Sequence, residues 1–232
     1  MRRGTGERRR TAVRAIAGAV VRRLLREAQW RAFGVRYARR RETDGSFRSE
    51  IAAHASPLYR DLVGMPDELQ RNKVVNLRLA AARLDGVVVL PGERLSFWRL
   101  VGKPSRRRGF VDGAVLSHGR VVPGVGGGLC QITNLLYWLT LHTPLTVVER
   151  WRHSYDVFPD ADRTQPFGSG ATCAFPALDL QIENRTLVPF VLRIVVAHGR
   201  LHGSWWSTGP LGAATRSARS ITGSRMKDPA AT

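Results

Sequence analysis

The sequence predicts an α+β fold: one domain with a cysteine at the start of a helix and a mainly antiparallel C-terminal sheet, preceded by a basic amphipathic N-terminal helix. Three observations predict it. Residues 67–84 place apolar side chains three and four apart, with Leu69, Val74, Leu77 and Ala81 as one face. A second helical pattern opens at Cys130, directly after a run of glycines. From Leu145 onward, short apolar runs alternate with turn residues in the manner of antiparallel strands.

The N-terminal helix is the most charged part of the chain. Residues 1–41 hold fourteen arginines against Glu7 and Glu27, so +12 of the net +19 lies there and +7 remains for the other 191 residues. Val13, Ile16/Ala17, Val20, Leu24 and Ala28 form a helical stripe, and Arg14, Arg22, Arg23 and Arg26 lie off it. Such a helix either rests on an anionic membrane surface or packs its stripe on the domain. Nucleic acid is the weaker partner: the body is only mildly basic and carries no binding motif, and 34 of the 37 basic residues are Arg, a skew that nucleotide composition also produces. The apolar run Ala15–Val21, closed by Arg22 and Arg23, is a poor export signal and too short to span a bilayer. The expected location is cytoplasmic, or peripheral at the inner face of the membrane.

The remaining elements follow in order. Residues 42–56 read as a loop. The helix over 67–84 stops at Asp85-Gly86, Val87–Leu90 reads as a short buried strand, and Pro91-Gly92 turns the chain. Val111–Leu116 and Arg120–Val122 flank a hairpin turn at His118-Gly119. The helix from Cys130 carries Ile132, Leu135, Leu136 and Leu139 and ends at Thr143-Pro144. Leu145–Val148, Ala171–Phe175, Leu178–Ile182, Pro189–Val196 and Arg200–Trp206 read as strands. The expected division is an Arg-rich extension over 1–41, a domain over 67–207 and a loose tail over 208–232.

The chemistry converges on Gly126-Gly127-Gly128-Leu129-Cys130-Gln131. Successive glycines adopt backbone conformations closed to other residues and allow close approach of another backbone or a ligand. A thiol at a helix N-terminus lies at the positive end of the dipole, beside N–H groups able to hold an oxyanion. A cysteine nucleophile needs a base. His153 is the candidate, in a polar segment after Leu145–Val148, with Asp156, Asp160, Asp179 or Asn184 to orient it. The bland alternative is an inert packing cysteine. Cys130 and Cys173 are the two cysteines, without the spacing of a zinc site, so neither metal nor cofactor is expected.

Taken as a set, Pro91-Gly92-Glu93, Leu95-Ser96-Phe97-Trp98, Arg108-Gly109-Phe110, Pro123 through Gln131, Glu149 through Ser154 and Arg163 through Thr172 resemble the VanW family in order and spacing, over residues 67–207. The resemblance implies an accessory role linked to glycopeptide resistance and cell-wall biology, and brings no established reaction. Two readings follow. In one, Cys130, His153 and Asp156 hydrolyse or transfer an amide or ester of peptidoglycan or its precursors. In the other, a noncatalytic module binds a wall precursor, a resistance protein or the membrane surface, with Gly126, Gly127, Gly128, Gln131, Arg150, Arg152 and Arg163 as contacts.

Overall fold

The computed structural model describes residues 4–31, 34–59, 66–117, 120–152 and 170–211. The chain divides into two units, Met1–Val35 and Arg36–Thr232. The first is α1, Gly4–Arg31. Val20, Val21, Leu24 and Leu25 are exposed on it, one turn apart in two columns. Glu27 pairs with Arg23 at 2.8 Å and Arg31 at 3.7 Å, one turn to either side. Among the described residues no helix is long and apolar enough to cross a membrane.

The second unit is α+β. In chain order it contains β1 (Arg36–Tyr37), β2 (Ser49–Pro57), α2 (Asp67–Leu84), β3 (Val88–Val89), β4 (Glu93–Ser96), α3 (Phe97–Val101), a 3-10 turn (Arg106–Arg108), β5 (Asp112–Ser117), β6 (Arg120–Val125), α4 (Cys130–Leu141), β7 (Thr146–Glu149), β8 (Gln181–Glu183), β9 (Phe190–Ala197) and β10 (Arg200–Ser207). One antiparallel sheet runs β2-β10-β9-β3. A second runs β1-β4-β8-β7, with β1 parallel to β4 and the other pairs antiparallel. β5 and β6 form a separate hairpin.

The helices form where the sequence spaces its apolar residues. In α2, Leu69, Val74, Leu77, Ala80, Ala81 and Leu84 are buried, and Asp67 and Glu68 complement the N-terminal dipole. The helix stops where Asp85 leaves helical geometry and Gly86 takes φ 75°. α4 buries Ile132, Leu135, Leu136 and Leu139. It seats against β10 at Gly203, where a Cβ would come within 2.9 Å of Leu139 Cδ1 and 3.0 Å of Leu135 Cδ2.

Two expectations are corrected. Within residues 42–56, read as a loop, β2 begins at Ser49 and pairs with β10 along its whole length, from Arg200↔Pro57 to Ser207↔Ser49. Its Ser-Glu-Ile-Ala-Ala-His-Ala-Ser sequence has little intrinsic strand preference, so cross-strand partners decide its conformation. Ala171–Phe175 is not a strand. It makes only the isolated bridges Trp151↔Thr172 and Ala174↔Leu178.

Candidate functional site

The glycine run is shaped first by backbone contact. After β6 the chain turns at Gly126 (φ 80°) and Gly128 (φ 89°) into α4. The Gly126 N–H donates to Val111 O at 3.0 Å, and the Gly127 N–H to Gly124 O at 2.9 Å. Gly127 lies directly on Gly113 of β5: a Cβ on Gly127 would stand 2.2 Å from the Gly113 carbonyl carbon. Asn76 of α2, fully buried, clamps the junction. Its Nδ2 donates to Val111 O (3.0 Å) and Gly127 O (2.9 Å), and its Oδ1 accepts from Val111 N (2.9 Å).

Cys130 is the first residue of α4, as its sequence position predicts, and is half-buried. The N–H groups of Gln131 and Ile132 donate back to Gly128 O and Leu129 O. Those of Gly128 and Leu129 donate to no group among the described residues. The Cys130 thiol faces the segment Ala171–Cys173: its Sγ lies 3.6 Å from Thr172 Oγ1, 3.7 Å from Cys173 O and 3.8 Å from Cys173 Sγ.

That segment is tied to α4 by side chains. Thr133 Oγ1 is 2.6 Å from Ala171 O and 3.1 Å from Cys130 O, two acceptors for its single proton. Asn134 Oδ1 accepts from Ala171 N at 2.6 Å, and Thr172 N donates to Trp151 O at 2.9 Å. Arg150 donates to Gly170 O through Nε (2.9 Å) and Nη2 (2.7 Å) and stacks 4.2 Å over the Tyr137 ring. Cys173, like Cys130, is half-buried. Burial, and then the adjacent Cys130 thiol, push the Cys173 thiol well above the usual thiol range.

A buried polar network lies alongside. Asp179, fully enclosed, accepts from Ser96 Oγ (2.5 Å), Trp98 N (2.9 Å) and Leu180 N (3.0 Å). Glu149 accepts from Trp151 Nε1 (2.9 Å), Asp179 N (3.2 Å) and Gln181 Nε2 (2.8 Å). Asn184, also buried, donates to Val89 O and Val188 O. Asp179 and Asn184, two of the residues considered as partners for a base, thus bond to the β4–α3 junction and to β3.

Of the sequence-predicted site, the structure brings Gly126, Gly127, Gly128, Cys130 and Gln131 to the start of α4, and sets Arg150 further along the same helix, over Tyr137. Gln131 points back to β2, donating to Ser56 Oγ (2.9 Å) and Pro57 O (2.8 Å), and Arg152 is exposed. His153, Asp156 and Arg163 lie outside the described residues. Sequence reasoning gave no place at the site to Thr172, Thr133 or Asn134. Thr172 stood within the Gly170-Ala171-Thr172 motif, but nothing local signalled its contact with Cys130. Among the described residues no group of three or more His, Cys, Asp or Glu is placed to hold a metal ion.

An α+β domain that presents a half-buried cysteine at the first residue of a helix, entered through a glycine turn, is the class this molecule defines. Residues 72–206 match the family model described as VanW like protein, 135 of the 232 residues, and the chain belongs to that family. It is 40% identical over 129 residues to the Vancomycin B-type resistance protein VanW of Enterococcus faecalis, covering 56% of this chain and 47% of that protein. It is 29% identical over 146 residues to the uncharacterized protein YoaR of Bacillus subtilis, covering 62% of this chain and 46% of that one. The chain therefore spans about half the length of each relative. No solved structure is significantly similar to it.

Proposed function

We propose that this chain serves cell-wall chemistry linked to glycopeptide resistance, with Cys130 as a nucleophile toward an amide or ester of a wall peptide or its lipid-linked precursor. The observation that carries this reading is the half-buried Cys130 on the first residue of α4, directly after Gly128 and Leu129, whose N–H groups donate to no group among the described residues. A helix start tolerates negative charge, and such N–H groups suit a developing oxyanion. The Enterococcus faecalis relative supplies the connection to vancomycin.

In the proposed reaction the Cys130 thiolate adds to the carbonyl carbon, the amine or alcohol leaves with a proton, and water or an acceptor amine resolves the thioester. His153 is the proposed proton carrier and Asp156 its orienting partner. The Trp151–Thr172 pairing supports that choice, since it keeps the chain beside Cys130 two residues before His153. The noncatalytic alternative draws less support, because Arg150 and Gln131 are already engaged within the fold. We further propose action at the inner face of the membrane, where the exposed Val20, Val21, Leu24 and Leu25 beside the arginines of α1 suit an anionic surface.

The test is replacement of the chromosomal gene by Cys130→Ala. Loss of glycopeptide tolerance with unchanged protein level is the expected result. Full tolerance with the variant overturns the catalytic reading.

A further inference from the structure

Cys130 and Cys173 are 43 positions apart in sequence, yet their sulfurs are 3.8 Å apart. We propose that they form a reversible disulfide, with Cys130 as the attacking thiol and Cys173 as the resolving thiol, driven by exchange with an external disulfide such as a disulfide-bearing oxidoreductase or a small-molecule disulfide.

The geometry supports this on three counts. A disulfide needs its sulfurs at about 2.05 Å, so the pair must close by less than the diameter of one atom, within reach of side-chain rotation. The two backbones are already held together: Asn134 and Thr133 fasten Ala171 to the first turn of α4, and Trp151 fastens Thr172. The thiols also differ in setting. Both residues are half-buried, but Cys130 opens a helix, where the dipole favours thiolate, whereas burial holds the Cys173 thiol in its protonated form. Cys130 is therefore the thiol that attacks an incoming disulfide.

The Cys130 thiolate attacks one sulfur of the external disulfide, forming a mixed disulfide and releasing one thiol. Cys173 then gives up its proton and attacks the Cys130 sulfur, closing the internal bond and releasing the second thiol. Two protein thiols are oxidised and one external disulfide is reduced. In a reducing compartment the pair rests as thiols. If Cys130 is the nucleophile proposed above, closure removes it from use. Bond formation is read by mass and stands or falls independently of that activity.

The experiment incubates the full folded chain with oxidised glutathione, quenches with acid, then denatures and alkylates before mass spectrometry. The expected product has lost two hydrogens, takes up no alkyl group and yields a linked pair of peptides containing Cys130 and Cys173. Cys173→Ser is expected to stop at a glutathione adduct on Cys130, and Cys130→Ser to leave Cys173 unmodified while the chain stays folded by circular dichroism. A stable glutathione adduct on wild-type Cys130, or two alkylated thiols, overturns the pairing. Equally fast modification of Cys173 in folded Cys130→Ser overturns the order of attack.

Discussion

The start of α4 is approached from one side by Gly126–Gly128 and from the other by Gly170–Cys173, and the two approaches are held by different means. On the glycine side, backbone meets backbone: Gly127 lies on Gly113, and a single buried amide, Asn76, satisfies the polar groups enclosed there. On the other side the contacts are made by Thr133, Asn134, Arg150 and the two thiols. The glycine turn is therefore architecture that sets where α4 begins, and the reactive atoms face the opposite segment. Gly127 is thus indispensable for backbone packing alone, whatever the Gly128 N–H contacts.

That contrast is open to attack by substitution. The largest effect is expected from Gly127→Ala, whose Cβ would stand 2.2 Å from the Gly113 carbonyl carbon. Neither backbone has room to yield, so the cost should reach at least about 3 kcal/mol, read as a lost or strongly lowered thermal transition. A near-wild-type melt would remove the architectural reading. Asn76→Ala deletes three hydrogen bonds and strands the Gly127 carbonyl and the Val111 N–H, for a loss of about 3 kcal/mol in denaturant titration. On the thiol side, Thr133→Val should cost only about 1–2 kcal/mol, through the group it leaves unpaired at Ala171. It should also slow formation of the Cys130–Cys173 disulfide by loosening its frame.

The smallest effect is one of pH. Folding raises the Cys173 pKa, chiefly through burial, so the folded state favours the protonated thiol. The associated stability is complete below the unfolded thiol's value of about 8.5. It is lost as pH rises through the elevated folded value. Reduced wild-type protein should therefore lose stability on the alkaline side, and Cys173→Ser should flatten that limb. An identical alkaline profile for the two proteins would show that Cys173 is not shielded as described.

Much of the frame was legible in the sequence because its signals are local. The bounds of α2 follow from Asp67 and Glu68 at one end and Asp85-Gly86 at the other. α4 follows from Cys130 through the Ile132, Leu135, Leu136, Leu139 spacing, and β9 and β10 from apolar runs around the Ala197-His198-Gly199 turn. β2 was illegible because its strand character comes from pairing with β10. β4 and α3, four and five residues long, are too short to show a period. At the site, the helix-start cysteine could be read directly. Close backbone approach at the glycines was also readable, but the identity of the approaching backbone was not, because Gly113 and Asn76 come from distant elements. The proximity of Cys173 to Cys130 is likewise a product of tertiary folding alone.

The proposal that Cys130 does covalent chemistry is met most directly on purified protein. The reduced chain is mixed with a wall-peptide ester ending in D-Ala, quenched in acid and weighed intact by mass spectrometry. The expected result is an acyl adduct mapped to Cys130, present in wild type and Cys173→Ser and missing from Cys130→Ala. An adduct that persists in Cys130→Ala, or none at all in the folded reduced wild-type chain, would contradict it.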